Sequence, residues 1–335
     1  MKYFILLFLS LFNFLFSTLL LDLEENPDPF ILESKQIHIP KYPDAFNPSI
    51  VRYQDFILLV FRIRDPILKT THQMGLIKLN NEFKPISKPY VIEIRNYLSG
   101  QSMAQDPRII TIGDEIFMVY NDMLGSPRKG FRRMLIGKIQ FDGQAFFIEN
   151  PEVLTHFDQE IKNRHEKNWA PFVYEDQLML IYSLQPHIVL KPIAFENRCE
   201  TKVSTKNFTK WEYGELRGGS QAFLVGDEYL SFFHSTKEMK TLQSEGKKIS
   251  HYFMGAYTFE KDAPHAIKSI SKKPIIGKNF YNGPLHKTWK PLRVIFPGGF
   301  IFDDQHIYVA YGRQDHEIWI VKMDRDALLT SLTGL

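Results

Sequence analysis

The chain carries a single cysteine, Cys199, in 335 residues. One thiol forms no intrachain disulfide and supplies no metal cluster, so neither cystines nor thiolate ligands organise this protein. Charge of one sign is also scarce: 41 Lys and Arg stand against 38 Asp and Glu, a net charge of +3. No polybasic block occurs, which removes the electrostatic footprint that nucleic acid requires as a partner. Helix-period stretches are few, confined to Asp158 to His165 and to Asp324 to Leu332. Beyond residue 21 no apolar run is long enough to cross a bilayer.

The one long apolar run opens the chain. It extends from Tyr3 to Leu21, interrupted by Ser10, Asn13, Ser17 and Thr18, with Lys2 before it and Asp22, Glu24, Glu25 and Asp28 after it. That charge order directs the rest of the chain away from the cytoplasm. Residues 1–21 read either as a signal peptide or as an uncleaved signal anchor giving membrane attachment through residues 3–21, since no small-x-small cleavage site follows. The expected location is secreted, periplasmic or lumenal, or membrane-anchored with the body on the non-cytoplasmic side. Residues 22–45, rich in Pro and acid, read as a linker and a first edge strand around Gln36 to Ile39. Asn207-Phe208-Thr209 is a glycosylation sequon.

Strand pattern, by contrast, is abundant, and it repeats. Five times two apolar runs flank an acidic turn: Ile50-Val51 to Phe56-Ile57-Leu58-Leu59, Ile109-Ile110 to Ile116-Phe117-Met118, Phe172-Val173 to Leu178-Met179-Leu180, Phe223-Leu224 to Tyr229-Leu230, and Phe300-Ile301 to Ile307-Tyr308-Val309. Their turns hold Asp55, Asp114, Asp176, Asp227 and Asp304. Each copy reads as a β-hairpin, and copies spaced by roughly 50 to 80 residues match propeller blades. The fold class is therefore all-β, a single five-bladed β-propeller over residues 46–335.

In a propeller the entrances to such hairpins gather at one mouth of the central channel. Here they hold Asn47-Pro48 with Arg62 and Arg64, Gln105-Asp106-Pro107-Arg108, Lys167-Asn168-Trp169 with His187, Arg217-Gly218-Gly219 with His234, and Pro297-Gly298-Gly299 with Arg313 and Asp315. Cations dominate, and glycine pairs let backbone approach a ligand. The same arginines also suit salt bridges between blades. Trp169, Tyr257 and Tyr311 are either platforms for sugar rings or plain core.

These segments resemble, in order, glycoside hydrolase family 130: Asp106-Pro107-Arg108, Lys167-Asn168-x-x-Pro171, Arg217-Gly218-Gly219, Phe233-His234-Ser235, Gly255-Ala256-Tyr257, Phe296-Pro297-Gly298-Gly299 and Tyr311-Gly312-x-x-Asp315. The resemblance implies a five-bladed propeller acting as a β-mannoside phosphorylase, a related hydrolase or a β-mannosyltransferase. It places the general acid at Asp106, with Gln105 standing where the family's motif has Glu. It implies Arg64, Arg108, Lys167, His187 and His234 as phosphate holders. Asn47, Asn168, Gly218, Gly219, Tyr257, Gly298, Arg313 and Asp315 complete the substrate set. Two further phosphate arginines fall among Arg128, Arg132, Arg133 and Arg164.

The chemistry agrees with this implication. Hydrolysis needs two carboxyl groups, one to protonate the leaving oxygen and one to activate water. Phosphorolysis needs one acid and enough cations to hold phosphate. One acid candidate among many cations therefore points to inorganic phosphate or a sugar phosphate as co-substrate of an oligosaccharide, with no other cofactor and no metal. A water-using β-mannosidase and a non-catalytic glycan-binding propeller are the alternatives.

Overall fold

The computed structural model describes residues 20–335 apart from 65–71, 97–101, 125–129, 155–156, 158–159, 162–163, 206–210, 287 and 289. Most of the apolar leader, the sequon, Arg128 and half of the expected 158–165 helix lie outside the described residues. No helix among those described is long and apolar enough to cross a membrane.

Five of the six sheets among the described residues form the five blades, and the sixth, three-stranded, pairs Phe146–Glu149 with Gln140–Phe141 and Glu93–Arg95. Blade I runs through Phe46–Tyr53, Phe56–Arg64, His72–Leu79 and Tyr90–Val91. Blade II uses Gln105–Ile112, Glu115–Leu124, Phe131–Lys138 and Glu152–Leu154. Blade III uses Ala170–Tyr174, Gln177–Leu184, His187–Ile193 and Arg198–Thr205. Blade IV is built on the long pair Glu228–Met239 and Ile249–Glu260. Blade V holds Ile295–Phe302, His306–Arg313 and Glu317–Asp324, and its fourth strand is the N-terminal Ile31–Ile37, antiparallel to Glu317–Asp324. An N-terminal strand therefore completes the last blade, which closes the ring, while the final strand Leu332–Gly334 joins blade IV through Ile267–Ser271.

Alternation explains why the strands read as continuous apolar runs. Ile57, Leu59 and Phe61 pack towards blade V with Ile301, Ala310 and Ile320. Leu58 and Val60, the intervening residues, pack towards blade II with Ile109 and Met118. Successive side chains of a strand point to opposite faces, and in a propeller each face meets a neighbouring blade. Three further clusters fill the joins between blades II and III, III and IV, and IV and V. Five joins, each with its own core, make a closed five-fold array.

The hairpin turns follow the sequence signal. Gln54, Gly113, Glu175 and Gly226 each take a positive φ at the first turn position, as tight two-residue hairpins require. In the fifth, the Asp303 carboxylate accepts from the Gln305 and His306 amides at 2.9 and 2.7 Å. The acidic stretch after residue 21 is bound to the body. Glu24 accepts from the amides of Asn279, Tyr281 and Asn282 at 2.5 to 2.9 Å, and Asp28 accepts from Ile276 N at 2.8 Å. A short terminal helix, α1 (Arg325–Ser331), is capped by Asp324, which accepts from Ala327 N.

Candidate functional site at the channel mouth

The innermost strands of three blades are bulged at their entrances. Register breaks between Phe46 and Ser49, between Gln105 and Arg108, and between Pro297 and Gly299. Asn47 and Asp106 sit in two of these bulges with φ of 47° and 54°, and Asn168 before the blade III strand has φ 65°. Asn and Asp tolerate this left-handed conformation better than other side chains, and bulges re-aim the residue they carry. Of the residues at these entrances, Asn47, Asp106, Asn168, Gly218 and Gly298, only Asp106 is a carboxylate.

Asp106 is nearly buried, and its Oδ1 accepts from Asn47 Nδ2 at 2.8 Å and from Arg62 Nη1 at 3.0 Å. Burial alone would raise its pKa. Arg62, Lys167, Asn47 and Arg108 together outweigh burial and hold the carboxyl well below the usual carboxylate range. Lys167 opens onto the mouth, and its ammonium acts on Asp106, Arg132, Arg62 and Asp315. Burial lowers the pKa of that ammonium, opposed chiefly by Asp106. Asp315 faces Arg62, Asp106 and Arg64, and burial pushes its carboxyl up. Two interacting carboxyl groups are thus driven apart in acidity by their surroundings.

Behind Asp106, Asp122 accepts from Ser102 Oγ, Met103 N and Met123 N at 2.5, 2.7 and 2.7 Å. Arg132 donates to Asn121 Oδ1 and to the Met103 carbonyl, both at 3.1 Å. Arg62 and Arg64 both lie over the Phe46 ring, at 4.8 and 5.3 Å. A cavity of about 420 Å³ adjoins this cluster between blades III and IV, lined by Lys167, Asn168, Tyr182, Pro186, Arg217 and others. Its size is that of a small-ligand site.

The structure therefore brings together Asp106, Asn47, Arg64, Lys167, Asn168 and Asp315, and adds Arg62 and Arg132. Arg62 was visible two residues from Arg64, on the same strand face. Only the pairing of Phe46 opposite Arg62 singles it out as the partner of Asp106. Arg133 instead turns to the Arg164 carbonyl at 2.6 Å, and Arg164 lines the lateral cavity.

Several expected ligand-binding residues do other work. Arg108 is fully buried, and its guanidinium donates to the carbonyls of Gly219, Gly218 and Asp106 at 2.5, 3.1 and 3.1 Å. Burial pushes its pKa down to about 10, which leaves it charged, but its donors are spent on tying blade II to blade IV. His187 is fully buried beside Tyr257 and Phe259, and burial pushes it down to about 4. Tyr257 is itself core between blades III and IV, as Trp169 and Tyr311 are at other joins. Arg313 donates to the Asn282 carbonyl at 2.6 Å, pairs with Glu317 at 3.3 Å and lies over Trp319, away from the mouth. His234 does lie near Arg108 and Asp106, but burial, aided by Arg108, pushes it down to about 3, so it is a neutral ring stacked on Tyr252.

Gly218 and Gly298 serve close approach between strands. A Cβ on Gly218 would stand 2.2 Å from the Asn168 carbonyl oxygen, and one on Gly298 would stand 2.1 Å from that of Pro48. Gly219 is similarly confined, 2.5 Å from the Phe232 oxygen, and presents its own carbonyl to Arg108.

A five-bladed propeller does not by itself determine an activity; the family match places the chain among carbohydrate-active enzymes, the glycosidases, glycoside phosphorylases and glycosyltransferases. The family model for glycoside hydrolase family 130, described as beta-1,4-mannooligosaccharide phosphorylase, matches residues 20–333, and the chain belongs to that family. Similar solved structures include a mannose phosphorylase from Leishmania mexicana in complex with phosphate ion, at 13% identity, covering 91% of this chain and 92% of that one with a TM-score of 0.59. A beta-1,2-mannobiose phosphorylase from Listeria innocua matches at 15% identity, 91% and 94% coverage and a TM-score of 0.55. A GDP-Man-dependent mannosyltransferase from Leishmania mexicana matches at 10% identity, 89% and 91% coverage and a TM-score of 0.63. No curated protein matches the chain significantly in sequence.

Proposed function

We propose that this protein is an inverting β-mannoside enzyme that makes or cleaves a β-mannosidic bond with a sugar phosphate or inorganic phosphate as the second reactant. The observation that carries the reading is the charge at the mouth: one ionised aspartate, Asp106, held among Arg62, Lys167 and Asn47, with Arg132 alongside. In the synthetic direction Asp106 accepts the proton of the acceptor hydroxyl. The acceptor oxygen bonds to C1 as the C1–O bond to phosphate breaks, and phosphate leaves into the cationic cluster. Phosphorolysis is the reverse, with protonated Asp106 delivering its proton to the leaving oxygen. Bound phosphate favours that protonated form, because added negative charge raises the pKa of a neighbouring carboxyl. The lateral cavity suits the saccharide on the acceptor side.

Asp315 supports a second reading, a water-using β-mannosidase, because it supplies the second carboxyl that hydrolysis requires. Incubation with mannose-1-phosphate and a panel of sugar acceptors, with product analysis, separates the two. The first reading expects a new mannoside and released phosphate, and expects mannoside cleavage to depend on added phosphate. Phosphate-independent release of mannose would reject it. The apolar run of residues 3–21 and its flanking charges support a location outside the cytoplasm, released or anchored. Protease protection of sealed vesicles tests this.

A further inference from the structure

The apolar run of residues 3–21 meets the body without slack. Leu20 lies beside Gly246, Leu21 pairs with Thr241, and the Leu21 carbonyl accepts from Leu242 N at 2.9 Å. Asp22 accepts from Gln243 Nε2 at 2.6 Å, and Leu23 N donates to Gln243 Oε1 at 3.1 Å. With Glu24 holding three amides beyond them, the chain is fixed to the body from the first residue after the run.

This attachment lies on the mouth side. Strand Glu228–Met239 climbs from the hairpin turn at Gly226-Asp227 to the mouth, where Gly218 and Arg217 stand opposite Phe233 and His234. It continues five residues past His234 to Met239, still paired with Ile249–Glu260. At about 3.3 Å per residue, blade IV overhangs the mouth by about 17 Å, and Thr241 lies at the top of the overhang. Apolar surface is open there, with Leu21 50% and Leu242 51% exposed. Exposed Lys240, Lys247 and Lys248 flank Leu242 in the chain, together with Glu238 and Glu245, the latter paired with Lys247 at 2.8 Å.

We propose that the overhang of blade IV is a membrane-contact face, with Leu21 and Leu242 seated at the lipid headgroups and the channel mouth turned towards the bilayer. This rests on the anchored reading of the location given above. An anchor that ends at Leu21 sets the residues bonded to Leu21 at headgroup depth. Leucines there gain burial, while lysine stems let their ammonium groups reach lipid phosphates. A propeller on a slack tether would have no preferred face. This one is fixed beside its mouth, so the mouth opens onto the membrane surface.

The test uses the full chain reconstituted in vesicles of phosphatidylcholine and phosphatidylglycerol. Cys199 is 3% exposed and burial pushes its thiol up to about 12, so an environment-sensitive thiol dye labels introduced cysteines alone. Leu242→Cys reports on the overhang and Asp227→Cys on the opposite end of the same blade; both positions are exposed, so neither change disturbs the core. Dye at position 242 is expected to shift its emission to the blue and to lose about half of its intensity or more to brominated acyl chains, as groups seated about 5–10 Å into the interface do. Dye at position 227 is expected to do neither. Equal responses at the two positions, or no response at 242 in protein that floats with the vesicles, overturn the contact face and leave the anchor in place. Protein that does not float with the vesicles rejects the anchored reading and the contact face with it.

Discussion

Asp106→Asn asks whether charge, rather than shape, organises the channel mouth. Asparagine keeps the size of the side chain and an oxygen for Asn47 Nδ2, but it no longer neutralises Arg62. The two partners are 13% and 8% exposed, so the pair is close to buried. Removing one member of such a pair leaves an uncompensated charge and costs about 3 kcal/mol. In a domain of this size 1 kcal/mol moves the melting temperature by about 2 °C, which gives a loss of about 6 °C at pH 7. The native surroundings hold the pKa of Asp106 below its unfolded value, which is about 3.9. Its stabilisation is thus present in full above that value and is lost as pH falls through the native pKa. Scanning calorimetry should show a constant gap between the two proteins from about pH 5 to about pH 8, narrowing below about pH 4. Added phosphate should also narrow it at pH 7, because a dianion restores negative charge beside Arg62 and Lys167. A variant as stable as the unsubstituted protein at pH 7, or a gap that ignores pH, would refute the electrostatic account. Turnover is expected to fall by about 1,000-fold or more in the same variant, with near-UV circular dichroism unchanged.

Arg108→Met should lower the melting temperature by about 6 °C, because it strips the Gly218, Gly219 and Asp106 carbonyls of their shared donor; phosphate affinity within about 3-fold by calorimetry is the companion result, and its selective loss would return Arg108 to the ligand. Gly298→Ala forces a methyl group against the Pro48 carbonyl, where neither backbone can yield, and should cost about 2 kcal/mol or more in urea denaturation. Tyr257→Phe should leave turnover within about 2-fold, since the ring is core; a loss of about 10-fold would place Tyr257 in the site after all.

Much of the scaffold was legible because propeller strands obey local rules. Apolar runs broken by an acidic turn can bury both faces only between two neighbours, and five such pairs along one chain leave few architectures to choose from. Asp106 was legible through its Asp-Pro-Arg setting and the family resemblance. What misled the reading was residue type taken without direction. Arg108 and Arg313 carry the charge that phosphate needs, but a guanidinium is as well suited to bridging backbone carbonyls or pairing with Glu317. Tyr257 sits in a segment that resembles a site motif and His187 beside a blade entrance, yet both side chains point into a blade join.

The sequence by itself determined the five hairpins, the alternation that fills the joins, and the Asp-Pro-Arg setting of Asp106, since each depends on neighbours in the chain. Tertiary structure alone decided which cations serve Asp106. Arg62 and Lys167 come from blade I and from the entrance to blade III, and their meeting depends on bulges and strand ends that no local pattern encodes. The same is true of Glu24 and Asp28, whose carboxylates find backbone amides more than 240 residues away, and of Ile31–Ile37, which became the closing strand of the last blade because the ring brings the two ends of the chain together.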